Sequence, residues 1–138
     1  MKFMNTPFSA CVLVVFLALC LAGPVVADWP QMGGPNRDNI SPEMGLARTW
    51  PESGPRVLWT APLGIGFGSP SIRDGKVYIL DRIGETQDNL RCFDLETGKE
   101  LWNYAYDAPG SVSHDGSRTA PTVTADRVYS VGLLGHFM

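Results

Sequence analysis

The strongest constraint on this chain is a strand–turn–strand stretch that occurs twice. "SPSIRDGKVYILD" (69–81) aligns with "APTVTADRVYSVG" (120–132): Pro70 with Pro121, Ile72 with Val123, Val77 with Val128 and Tyr78 with Tyr129, each pair 51 residues apart. A second echo flanks the first copy, where "RVLW" ending at Trp59 resembles "KELW" ending at Trp102. In "VYIL", Val77, Tyr78, Ile79 and Leu80 put apolar groups on both faces of a strand, so the strand has to be covered on both sides. A repeated unit of this kind buries its faces by stacking on its neighbours, because one unit alone cannot cover itself.

The rest of the chain reads the same way. Short runs rich in Val, Ile, Tyr, Thr and Trp are expected to be strands: 56–60, 70–73, 76–81, 90–94, 100–106, 120–124 and 127–134. Asp74-Gly75 between two apolar runs is a hairpin signal, and Gly98 in "ETGK" marks a second turn. No segment carries a helical apolar period. The expected class is all-β. A repeat of about 50 residues with four strands per unit is the pattern of a β-propeller blade, a four-stranded antiparallel sheet packed face to face with its neighbours. The chain holds one full blade, over 56–106, and the start of the next.

Residues 1–27 read as a signal peptide. Lys2 precedes the uncharged apolar run Ala10 to Gly23, and "VVA" offers small residues for cleavage after Ala27. The run is short for a membrane span, which needs about 20 residues. The expected location is therefore periplasmic or extracellular, with membrane contact only through an uncleaved signal anchor. Cleavage removes Cys11 and Cys20 and leaves Cys92 alone, read as a small hydrophobe in a strand rather than a reactive thiol. Residues 28–55 have five Pro, four Gly and no period; they read as an irregular lead-in pinned by Trp29 and Trp50. With a net charge of −3 and no basic stripe, no nucleic-acid partner is expected.

"CFDLETGKELW" (92–102) resembles the tryptophan-docking motif of quinoprotein-type propellers, Ala-x-Asp-x-x-Thr-Gly-Lys-x-x-Trp. Asp94, Thr97, Gly98, Lys99 and Trp102 match, and Cys92 stands where the motif has Ala. Asp94 and Thr97 are suited to bond the backbone of a tight turn, and Gly98 to supply its unusual φ. Trp102 is expected to pack against a neighbouring blade. "DWPQMGGPNRDNISPE" also looks like the start of secreted pyrroloquinoline-quinone (PQQ)-like repeat proteins. The resemblance implies that 56–138 are partial PQQ-like repeats of a longer propeller.

The family implies two kinds of role. Its dehydrogenases hold PQQ and calcium with acidic and amide ligands from several blades, and many carry a vicinal cysteine pair. This chain has neither an adjacent Cys pair nor a calcium-loop pattern, so PQQ and calcium are not expected in it. Other relatives, such as the propeller lipoprotein of outer-membrane β-barrel assembly, bind proteins. The expectation is a non-catalytic binding or scaffold module of the cell envelope, with protein partners or further blades and no catalytic residues. The alternatives are a fragment of a PQQ-dependent alcohol or sugar dehydrogenase, and a truncated product with no function of its own. "GIGFG" (64–68) lacks the spacing and following helix of a phosphate loop and reads as a flexible inter-blade connection. "SVSHDGSR" (111–118) reads as a solvated loop, since catalytic triads converge from separate segments. Family geometry would put its His114 and Arg118 near the channel mouth, where propellers bind ligands.

Overall fold

The computed structural model describes residues 28–138; the expected signal peptide, with Cys11 and Cys20, lies outside the described residues. Four antiparallel strands form one sheet in chain order: β1 (Ser71–Arg73), β2 (Lys76–Ile83), β3 (Gln87–Asp94) and β4 (Glu100–Asp107). β5 (Thr122–Val123) and β6 (Val128–Tyr129) form a second antiparallel pair. The described residues contain no helix, and the architecture is all-β.

The sequence repeat reappears in the hydrogen-bonded register. Ser71 and Ile72 of β1 lie opposite Tyr78 and Val77, and Thr122 and Val123 of β5 lie opposite Tyr129 and Val128. The β1–β2 turn has positive φ at both Asp74 (49°) and Gly75 (70°), which a tight type I′ hairpin requires. Between β5 and β6 there is no such glycine; Thr124 closes the turn by donating its N–H to the Arg127 carbonyl at 2.8 Å.

β2 and β3 are buried on both faces, as the apolar pattern of "VYIL" requires. Strand alternation and register place Tyr78, Cys92, Trp102, Leu80, Leu90, Arg82, Asp88 and Tyr106 on one face. The β5–β6 pair and the segment after it cover this face: Val123 and Val128 pack on Tyr78 and Cys92, and Leu133 donates its N–H to Asp88. Val77, Phe93, Arg91, Asp81 and Asn89 share the other face, which Trp59 and Gly64 approach. A bulge in β4 re-aims its first residues. Cys92 pairs with Trp102 while Phe93 pairs with Glu100, so Leu101 is the extra residue. Glu100 therefore reaches Arg91 on one face while Trp102 meets Tyr78 on the other.

The lead-in splits into two parts. Trp29 exchanges backbone hydrogen bonds with Ile72 (2.8 and 2.9 Å), and the Pro30 carbonyl accepts the Val123 N–H at 2.8 Å, so this stretch lies between β1 and β5. Trp29 pins the lead-in as expected, with its ring against Gly34. Trp50 does not: it is 59% exposed, and the residues around it are exposed as well. Residues 56–60, expected as a strand, are not one. A strand exists only by pairing, and Val57 and Leu58, 72% and 65% exposed, have no ladder partner among the described residues.

Candidate functional site

Three groups of residues can do chemistry or binding. The first is the Asp94–Lys99 turn. Asp94 Oδ1 accepts from the Thr97 N–H (2.8 Å) and hydroxyl (2.7 Å), and the Asp94 carbonyl accepts from Gly98 N–H at 2.9 Å. These bonds hold the Asp94 carboxyl below the usual carboxylate range. Lys99 is exposed and acts through its backbone, its carbonyl accepting from Asp94 N–H at 2.9 Å. Gly98 has φ +70°, and a Cβ there would lie 2.5 Å from Trp59 Cδ2. The ring of Trp59 rests on this glycine, donates Nε1–H to the Leu95 carbonyl at 2.8 Å, and stacks near Phe93 at a centroid distance of 6.3 Å. The turn thus gathers Asp94, Thr97, Gly98 and Lys99, and the tryptophan seated on it is Trp59. Trp102, the motif's own tryptophan, lies on the opposite face of the sheet. Its ring is 6.0 Å from Tyr78 and 40% exposed, at the rim of a cavity of about 190 Å³ shared with residues 123–128.

The second group is a buried ionic network that the sequence reading missed. Arg82 Nη1 and Asp88 Oδ1 are 2.9 Å apart, with both side chains fully buried. Arg82 Nη2 also donates to the carbonyls of Ala108 (2.8 Å) and Gly110 (2.5 Å). Asp88 Oδ2 accepts from Leu133 N–H at 3.1 Å and from the Tyr106 hydroxyl at 3.3 Å. Burial, reinforced by the Asp88 charge, pushes the Tyr106 pKa up to about 12. On the other face, Asp81 Oδ2 accepts from Gly64 N–H at 2.6 Å and from Arg91 Nη1 at 3.4 Å, and Arg91 also bonds Glu100 and the Pro62 carbonyl. The one signal in the sequence was charge inside a strand: "LDRI" continues "VYIL" without a turn, and charged residues in a doubly covered strand must find partners.

The third group lies where "GIGFG" meets "SVSHDGSR". Ile65 and Arg82 exchange backbone hydrogen bonds at 2.9 Å, and Phe67 N–H donates to the Ser117 carbonyl at 2.6 Å. The segment is therefore hydrogen-bonded on both sides, to Arg82 and to Ser117. Its glycines answer close backbone approach: a Cβ on Gly64 would lie 2.2 Å from the Arg82 carbonyl oxygen, and one on Gly68 2.3 Å from that of Thr119. His114 and Arg118 come together with Phe67 around an open cavity of about 360 Å³, and Arg118 Nη2 donates to the His114 carbonyl at 2.5 Å.

No model of a known family, no curated protein and no solved structure matches the chain. Asp81 and Asp88 are the buried carboxylates that a calcium ion would need, but each already faces a guanidinium and a backbone N–H. Among the described residues, no three His, Cys, Asp or Glu side chains surround a common point suited to a metal ion. Cys92 is fully buried and its thiol pKa is raised by that burial, which matches a packing role.

Proposed function

We propose that this protein is an exported, non-catalytic binding and scaffold module of the cell envelope, built from propeller-type blades. The observation that carries this reading is the unequal fate of two repeat-related tryptophans. Trp59, at the end of "RVLW", is seated on the Asp94–Lys99 turn. Trp102, at the end of "KELW", is 40% exposed beside Leu101 (44%) and Tyr104 (50%) on the outer strand β4. A residue half-buried on a turn in one copy and 40% exposed on an edge strand in the next fits a surface meant to be covered by further blades or by a protein partner. Exposed aromatic groups of this kind mark interaction surfaces more often than chance. The buried charges support the same reading, since Arg82, Asp88 and Arg91 are engaged in holding loops to the sheet.

The test is chromatography with light scattering on the purified protein, followed by thermal melts at several protein concentrations. A defined assembly that Trp102→Ala dissociates, or a bound envelope protein that Trp102→Ala releases, supports the reading. A monomer whose melt and binding behaviour are unchanged by Trp102→Ala sinks it. Dye-linked oxidation of alcohols or sugars after adding PQQ and calcium would instead favour a dehydrogenase.

A further inference from the structure

We infer that the groove between residues 64–68 and 114–118 is a binding site for a small organic monocarboxylate with a flat apolar body. Its volume of about 360 Å³ falls within the size range of small-ligand sites, about 300–1,000 Å³. Phe67, 69% exposed, supplies an apolar wall. Both Phe67 N–H and Gly68 N–H donate to the Ser117 carbonyl, at 2.6 and 3.2 Å. Gly116 allows the opposing loop to close down on this wall. At φ +121°, a Cβ there would lie 2.7 Å from Ile65 Cγ2 and 3.2 Å from Phe67 Cε2.

The charge at the rim selects the ligand. Arg73, Arg82, Arg91 and Arg127 each face a carboxylate within 3.5 Å, whereas Arg37, Arg48 and Arg56, which line no part of this groove, face none among the described residues. Arg118 has no such ion pair among the described residues; its one hydrogen bond is to the His114 carbonyl. A guanidinium has five N–H donors in a planar fork, so most of Arg118 remains free to take a carboxylate in a two-pronged contact. The His114 ring stands beside it, with Nδ1 3.3 Å from Ser113 Oγ, and offers a further polar contact at the same rim. A flat apolar body would lie along Phe67, as aromatic faces prefer. One guanidinium matches one carboxylate, and an amine in the same position would meet repulsion. The site is on a different surface from Trp102, so it stands or falls independently of the protein-binding role.

The experiment is an amide NMR titration of the purified protein with phenylacetate, and in parallel with phenethylamine and acetate. Phenylacetate should produce saturable shifts centred on Phe67, His114 and Arg118. Phenethylamine should produce none there, and acetate should bind more weakly for lack of the ring. Arg118→Gln should weaken phenylacetate binding about tenfold, the usual scale for one charge-assisted contact. Phe67→Ala should weaken it as well. Both side chains are exposed, so both variants should keep the parent spectrum elsewhere. An equal response to phenethylamine, shifts centred elsewhere, or unchanged binding in Arg118→Gln would overturn the assignment.

Discussion

Replacing Gly98 by Ala should expose how much of this fold rests on one tryptophan seated on one turn. Gly98 sits at φ +70°, where an L-residue with a Cβ costs about 1–2 kcal/mol. The added Cβ would also fall 2.5 Å from Trp59 Cδ2, so the indole must leave its seat. It then loses the Nε1–H bond to the Leu95 carbonyl, worth about 1 kcal/mol net, and its stack on Phe93, worth about 0.5–1.5 kcal/mol. The expected total is about 3–4 kcal/mol. With Trp59 already replaced by Ala, only the backbone cost of about 1–2 kcal/mol remains. Urea melts of the parent, Gly98→Ala, Trp59→Ala and the double variant form a cycle with a coupling of about 2 kcal/mol, within the range for residues in contact. If Gly98→Ala costs the same in both backgrounds, Trp59 does not rest on that turn, and the stacking argument built on it fails.

Asp88→Ala should destabilise by about 3–5 kcal/mol in urea melts, because it leaves the buried Arg82 guanidinium uncompensated; Arg82→Met with Asp88→Leu should lose less. Tyr106 should be the last tyrosine to ionise in an alkaline absorbance titration, near pH 12, and Tyr106→Phe should remove that step. The folded state holds this proton more tightly than the unfolded chain, whose tyrosines titrate near pH 10. Its stabilising effect is thus fully present below about pH 10 and lost as the pH rises toward 12. Cys92 should resist a thiol-specific reagent in the native protein and react promptly in urea; rapid native labelling would contradict its burial. Gly64→Ala should disrupt the Ile65–Arg82 pairing and lower the melting temperature, because its Cβ would meet a backbone oxygen that cannot swing away.

Local chemistry made much of the sheet legible in the sequence. Asp74-Gly75 is the hairpin it looks like, Asp94 and Thr97 make the turn bonds their side chains allow, and Gly98 takes the positive φ the turn needs. Where a segment needs a distant partner, sequence was a poorer guide. Residues 56–60 have strand composition, yet nothing among the described residues pairs with them. Trp102 was expected to pack against a neighbouring blade; in the fold it lies beside Tyr78 at the rim of a cavity shared with residues 123–128, and the tryptophan seated on the Asp94–Lys99 turn is Trp59, 43 residues earlier. His114 and Arg118 were singled out from one loop. Their partner Phe67 lies some 50 residues away, and only the pairing of Phe67 with Ser117 brings it to them.

The sequence by itself determined the strand character of β1 to β4, the turns between them and the need for cover on both faces of β2, because these follow from side-chain period and from φ preferences that each residue carries with it. Tertiary structure alone decided which tryptophan is seated and which is left open, that Arg82 closes on Asp88, and that the glycines of "GIGFG" serve close backbone contact. Those outcomes depend on which distant segments are brought within a few ångströms of one another. Distances of that kind are set by register, by the bulge at Leu101 and by burial, and no single residue encodes them.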